Sequence, residues 1–154
     1  MSYTWSPTQY LKFEDHRTRP AVDLLGRVNL SRADHITDIG CGPRNSTQLL
    51  VERFASALVT GLVTSPQMIK AASERLPACN FEKIAVSHWR PNSKQDVLFA
   101  NAVLQWAPSH QKLLPKMVSF LEPGGVLAER ADTCGHAHRC IRRPLVGCSQ
   151  GRRR

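Results

Sequence analysis

Apolar residues along the chain come in short runs whose spacing alternates between helical and extended. Residues 16–30 place Val22, Leu24, Leu25 and Val28 among helix formers, and Pro20 suits a first helical turn, so the spacing predicts a helix. After polar residues 31–34 comes HITDIG (35–40), a β-prone run ending in glycine. Residues 45–54 read as a helix with Asn45 or Ser46 as cap, and residues 57–63 as a second strand. Residues 65–76 carry a serine cap, an early proline and helical apolar spacing. Weaker strand character follows at 80–86. A fourth strand is expected at 96–104, a mostly helical stretch at 109–121 despite Pro115, and a fifth strand at 125–128 after the turn Pro123-Gly124-Gly125. Strands separated by helices of this length imply a doubly wound α/β fold, a parallel sheet with helices on both faces.

Composition narrows the class. At 154 residues the chain suits one domain, and 42% hydrophobic with 21% charged residues is neither disordered nor membrane-embedded. No apolar run approaches the roughly 20 residues of a bilayer span. The opening MSYTWSPTQYLKFEDH lacks the basic-then-apolar order of a secretory signal, so a cytoplasmic location is expected. The net charge of +9 is unevenly placed: residues 1–128 carry 14 basic and 10 acidic side chains, residues 129–154 carry 7 and 2. That last stretch also holds Cys134, Cys140 and Cys148 and no aromatic residue. Five irregularly spaced cysteines make no disulfide framework. The run from Cys134 through His136 and His138 to Cys140 fits neither a zinc knuckle nor a finger, and no metal site is expected.

The most informative stretch is ITDIGCGPRNST (36–47), where a strand ends at Asp38-Ile39, turns through glycines and enters a helix. Gly40 and Gly42 let the backbone approach a ligand closely. The turn is expected to leave backbone N–H groups free, beside the positive end of a helix, at the carboxyl end of a parallel strand. The dinucleotide fingerprint G-x-G-x-x-G fails, because Asn45 stands at its third glycine.

DIGCGPRN resembles the first motif of the class I S-adenosylmethionine-dependent methyltransferases, whose Rossmann-like sheet the element order also suits. WSPTQYLKF, RTRPAVDLL, TDIGCGPRNST, GLVTSPQMI, LFANAVLQWAPSH and FLEPGGVLA, in that order over residues 3–128, are similar to the trans-aconitate 2-methyltransferase family. The resemblance implies methyl transfer from S-adenosyl-L-methionine to a carboxylate oxygen of trans-aconitate, giving a monomethyl ester. It implies cofactor contacts from Asp38, Gly40, Cys41, Gly42, Val63, Ser65 and Asn101, with no catalytic residue assigned. A tricarboxylate suits guanidinium forks, so Arg17 and Arg19, beside Tyr10 and Phe13, are candidate substrate ligands, joined by Gln105 and Trp106. Surface exposure is the alternative for the two arginines, and a core position for Trp106; Trp5 and Trp89 are read as core.

Residues also depart from the family pattern. Arg44 replaces a third glycine, Val63 an acid that accepts from the cofactor ribose, and Ala85 an acid beside the adenine. Each lost charge-assisted hydrogen bond is worth about 1.5–3 kcal/mol, which lowers cofactor affinity about tenfold or more. The similarity ends at Ala128, and residues 129–154 are expected to be a basic, disordered, non-family tail, read as out-of-frame translation after a sheet left incomplete at its fifth strand. Two alternatives follow, a catalytically inactive truncated remnant and a basic nucleic-acid-binding protein. The second lacks a basic stripe with interleaved aromatics.

Overall fold

The computed structural model describes residues 18–41, 46–131 and 138–145. The strands are β1 (His35–Ile39), β2 (Leu58–Val63), β3 (Asn80–Lys83), β4 (Gln95–Asn101), β5 (Leu121–Arg130) and β6 (His138–Arg142). Between them run α1 (Arg19–Gly26), α2 (Ser46–Arg53), α3 (Pro66–Arg75) and α4 (His110–Ser119), with a 3₁₀ turn at Leu104–Trp106. The six strands form one sheet in the order β3-β2-β1-β4-β5-β6, parallel throughout except for β6.

Central strands are buried on both faces, which is why β1 and β4 read as near-continuous apolar runs. One face packs Leu24, Leu25, Leu50 and Phe54 from the helical side onto Ile36, Phe99 and Ala128. The other packs Trp89, Leu113 and Met117 onto Ile39, Leu62, Leu98 and Leu127. Trp89 is buried with its ring edge-on to Phe120 at 5.7 Å. At the strands' amino ends, Asp96 Oδ2 accepts from the N–H groups of Asp34 (2.8 Å) and His35 (2.9 Å), fixing β1 beside β4. The Arg53 guanidinium, at the far end of α2, donates to the carbonyls of Leu25 and Val28. The C-terminal end of α1 therefore lies at the strands' amino ends, and Arg19 is at the other end of that helix.

The expectation that the sheet stops at its fifth strand is corrected, because described residues beyond Ala128 extend β5 and add a sixth strand. β5 runs on to Arg130, and β6 pairs with it antiparallel from Val126↔Arg142 to Arg130↔His138. Ile141 packs against the second core, and backbone bonds join Arg143 to Gly124 and Gly125 at 2.9 Å. The arginines of this stretch also have internal partners: Arg139 with Glu129 at 3.3 Å, and Arg142 Nη2 donating to Asn29 O at 2.8 Å. The turn expected at Pro123-Gly124-Gly125 lies inside β5, where the register with β4 shifts between Leu121 and Val126.

Candidate functional site

Strand order reverses direction between β1 and β4, and in open α/β sheets ligands bind at such a switch point, outside the strands' carboxyl ends. The sequence candidates among the described residues gather there. Asp38, Gly40 and Cys41 end β1, Val63 and Ser65 end β2, and Asn101 ends β4, with Gln105 and Trp106 on the 3₁₀ turn that follows. Arg17 and Gly42 lie outside the described residues, as do Arg44, Tyr10 and Phe13. Arg19 is exposed at the first turn of α1.

Asp38 is buried, and its Oδ2 accepts from both Ser46 Oγ and Thr47 Oγ1 at 2.7 Å. These hydroxyls open α2, so the carboxylate ties the strand to the helix across the glycine turn. Burial pushes the Asp38 carboxyl up from its usual 3.8 to about 6, against the two hydroxyl bonds that pull it down.

Gly40 sits at φ +69°, and a Cβ there would lie 2.3 Å from Val103 Cγ2. Only glycine tolerates both the left-handed backbone and Val103 pressed onto it. At Gly61 a Cβ would fall 2.8 Å from the Cys41 sulfur and 2.7 Å from the Phe81 ring, so β2 too is pared down to seat the turn. The N–H groups of Gly40 and Cys41 are not free, contrary to expectation. Both donate to Leu62 O, at 2.8 and 3.1 Å, because the turn folds back onto the end of β2.

At the end of β4 the backbone is again left-handed, with Ala102 at φ +55° held by its N–H on Arg130 O at 2.8 Å. The side-chain oxygen of Asn101 is buried and has no hydrogen-bond partner among the described residues. Such a buried acceptor is costly unless something supplies a donor. Val63 is buried and offers no acceptor, and Ser65 Oγ donates to Gln67 Oε1 at 2.9 Å. Trp106 is 81% exposed, so it stands at the mouth of the site and not in the core. Gln105 is half-buried.

Sequence reading missed the polar groups beside this edge. Glu129 and Arg130 are buried at the end of β5, and His138 lies across from Arg130 on β6. Two adjacent charges closing an apolar strand were the available signal. Among the described residues, no group of three or more His, Cys, Asp or Glu side chains is placed to hold a metal. None of their helices is long and apolar enough to cross a membrane.

A doubly wound sheet with a glycine turn at its switch point defines a nucleotide- or cofactor-binding α/β protein. The family model described as "Methyltransferase domain" matches residues 36–125, and the chain belongs to that family. The trans-aconitate 2-methyltransferase of Rhodopseudomonas palustris (strain BisB18) is 55% identical over 124 residues, 80% of this chain and 48% of its own length. That of Methylobacterium nodulans (strain LMG 21967 / CNCM I-2342 / ORS 2060) is 50% identical over 141 residues, 90% of this chain and 55% of its own length, a match that necessarily runs past Ala128. The chain thus spans about half the length of the curated relatives it matches. The crystal structure of the plantazolicin methyltransferase BpumL, in complex with a desmethylPZN analog and SAH, shares the fold at TM-score 0.61 and 18% identity, over 81% of this chain and 47% of that one.

Proposed function

We propose that this chain binds S-adenosyl-L-methionine at the carboxyl edge of β1, β2 and β4 and serves a carboxyl O-methyltransferase acting in the cytoplasm. The acceptor is trans-aconitate or a similar small polycarboxylate, and the product is a monomethyl ester. The observation that carries the reading is the buried Asn101 Oδ1 at the switch point, an acceptor with no partner among the described residues. The names of the relatives and the SAH held by BpumL support the chemistry.

The residues fit such a cofactor at its amino-acid end and not at its ribose. Asn101 Oδ1 would accept from the cofactor ammonium, and Asp38 has remaining lone pairs for the same task while its Oδ2 keeps the turn in register. Val63 supplies nothing to a ribose hydroxyl, so affinity is low. When bound, the cofactor provides an electrophilic methyl group. A carboxylate acceptor is already deprotonated near neutral pH, so the protein needs no general base and its work is orientation. Gln105 and the exposed Trp106, on the turn after β4, would border the acceptor. No nucleic-acid partner is invoked, since Arg139 and Arg142 pair with the protein's own groups.

Calorimetric titration with S-adenosylmethionine tests the reading, followed by transfer of labelled methyl to trans-aconitate. No heat at millimolar cofactor would sink it. Val63 and Ala85, as lost cofactor contacts, favour a second reading, a catalytically inactive remnant of the family that has lost cofactor binding; its mark is the absence of heat at millimolar cofactor.

A further inference from the structure

Two left-handed residues that are not glycine bracket the stretch after β4: Ala102 at φ +55° and Ser109 at φ +58°. Such backbone costs an L-residue energy, and it persists where surrounding contacts impose it, most often at functional sites. Between the two the chain is anchored inward. Leu104 is buried in the second core, and Val103 and Ala107 pack against it. The 3₁₀ turn closes through Trp106 N–H on Val103 O (3.1 Å) and Ala107 N–H on Leu104 O (3.0 Å). The left-handed step at Ala102 immediately precedes Val103, whose side chain lies on the glycine turn after β1. A Cβ at Gly40 would fall 2.8 Å from Val103 Cβ and closer still to Cγ2. Val103 thus fills the space of the side chain that Gly40 lacks. Its backbone opens one turn while its side chain rests on the other.

The two turns are not held alike. The glycine turn has supports of its own, the Gly40 and Cys41 N–H groups on Leu62 O and Asp38 on Ser46 and Thr47. Trimming Val103 removes none of these. The 3₁₀ turn, carrying Gln105 and the exposed Trp106, meets the glycine turn through Val103. Branching at Cβ restricts rotation about χ1, so valine makes a stiff spacer. We infer that Val103 is a positioning residue, a spacer that sets the distance between the cofactor side of the site at the glycine turn and the acceptor side at the 3₁₀ turn. Methyl transfer in line depends on that distance, since a misplacement of about 1 Å can cost about a hundredfold in rate. Which turn serves which ligand rests on the proposed function.

The test begins with amide hydrogen exchange of the full chain without cofactor, followed by transfer of labelled methyl to trans-aconitate. Val103→Ala speeds exchange of the Trp106 and Ala107 amides about tenfold or more and leaves those of Gly40 and Cys41 within about threefold. It lowers kcat about tenfold or more at saturating ligands, while the Kd for S-adenosylmethionine stays within about twofold. Val103→Thr, which keeps the branched shape, recovers most of both losses. Val59→Ala removes the same methyl groups from the other core, near the start of β2, and leaves kcat at the parent's value. Where Val103→Ala fails to fold, Val103→Ile carries the test by pushing the 3₁₀ turn outward, with a similar fall in kcat. Trp106 and Ala107 amides as protected as in the parent, a cofactor affinity that falls as far as kcat, or no recovery in Val103→Thr overturns the spacer. A parent chain that binds no S-adenosylmethionine or transfers no methyl fails the proposed function, and the exchange comparison then decides the spacer alone.

Discussion

The ends of β1 and β4 are neighbours in the sheet, yet they use their polar groups in opposite ways. At β1 the groups turn inward: Asp38 accepts from Ser46 and Thr47, and the Gly40 and Cys41 amides both go to Leu62 O. At β4 the amide oxygen of Asn101 is buried with no partner among the described residues, and buried Arg130 stands beside it in the next strand. The first end is a scaffold whose hydrogen bonds fix a turn. The second holds an acceptor, the Asn101 oxygen, that the turn does not consume. A glycine-rich motif can thus spend its own amides on fixing a turn while the neighbouring strand end keeps an unspent acceptor.

The comparison breaks most directly at Gly40. Gly40→Ala forces a left-handed alanine and a clash with Val103, at a cost on the order of 3 kcal/mol. Urea midpoints read the loss, and the double variant with Val103→Ala recovers only the part due to the Val103 methyl groups, because the Val103 Cβ would still lie 2.8 Å from the new Cβ. A Gly40→Ala protein as stable as the parent shows that the turn is not the rigid scaffold described.

A slightly smaller effect comes from Asp38, whose folded pKa of about 6 lies above the unfolded 3.8. The native state therefore holds this proton more tightly. The site's stabilising contribution is complete below about pH 4 and is lost as pH rises through 6, by roughly 3 kcal/mol at most. Asp38→Asn accepts from the same two hydroxyls without a buried charge, so its stability changes less between pH 4 and pH 7. Denaturation of both proteins across that window checks it. An unchanged fall in the variant assigns the pH dependence to other groups.

The pattern was enough to read β1, α2, β2 and α3 to within a residue or two: β1, α2 and β2 each bury a stripe or a continuous run, and α3, in which only Ala72 is buried, was read from its serine and early proline. β6 was illegible for a physical reason. HRCIR is an edge strand with exposed arginines, and Ile141 is its one side chain packed in the second core, so neither period stands out. Arg130 and Glu129 looked like the start of a charged tail because their burial comes from partners eight to ten residues away across a hairpin. The β1–α2 motif was legible as a location, but the use of its amides was not, because Leu62 O reaches it from another strand.

The smallest effect concerns β2, which shares the inward character of β1. Val63 is buried at the strand end and Lys83 faces it in register on β3, so neither of these two side chains offers a ligand an acceptor. Val63→Asp installs one where a ribose hydroxyl is expected, and a charge-assisted hydrogen bond there gains about tenfold in affinity for S-adenosylmethionine. Desolvation of the new carboxylate works against that gain, while Lys83 lowers the penalty by favouring the charged form. Calorimetry on a variant with unchanged melting temperature decides the balance. Tighter cofactor binding means that the scaffold end was one side chain away from gripping a ligand. Unchanged binding places the ribose away from Val63.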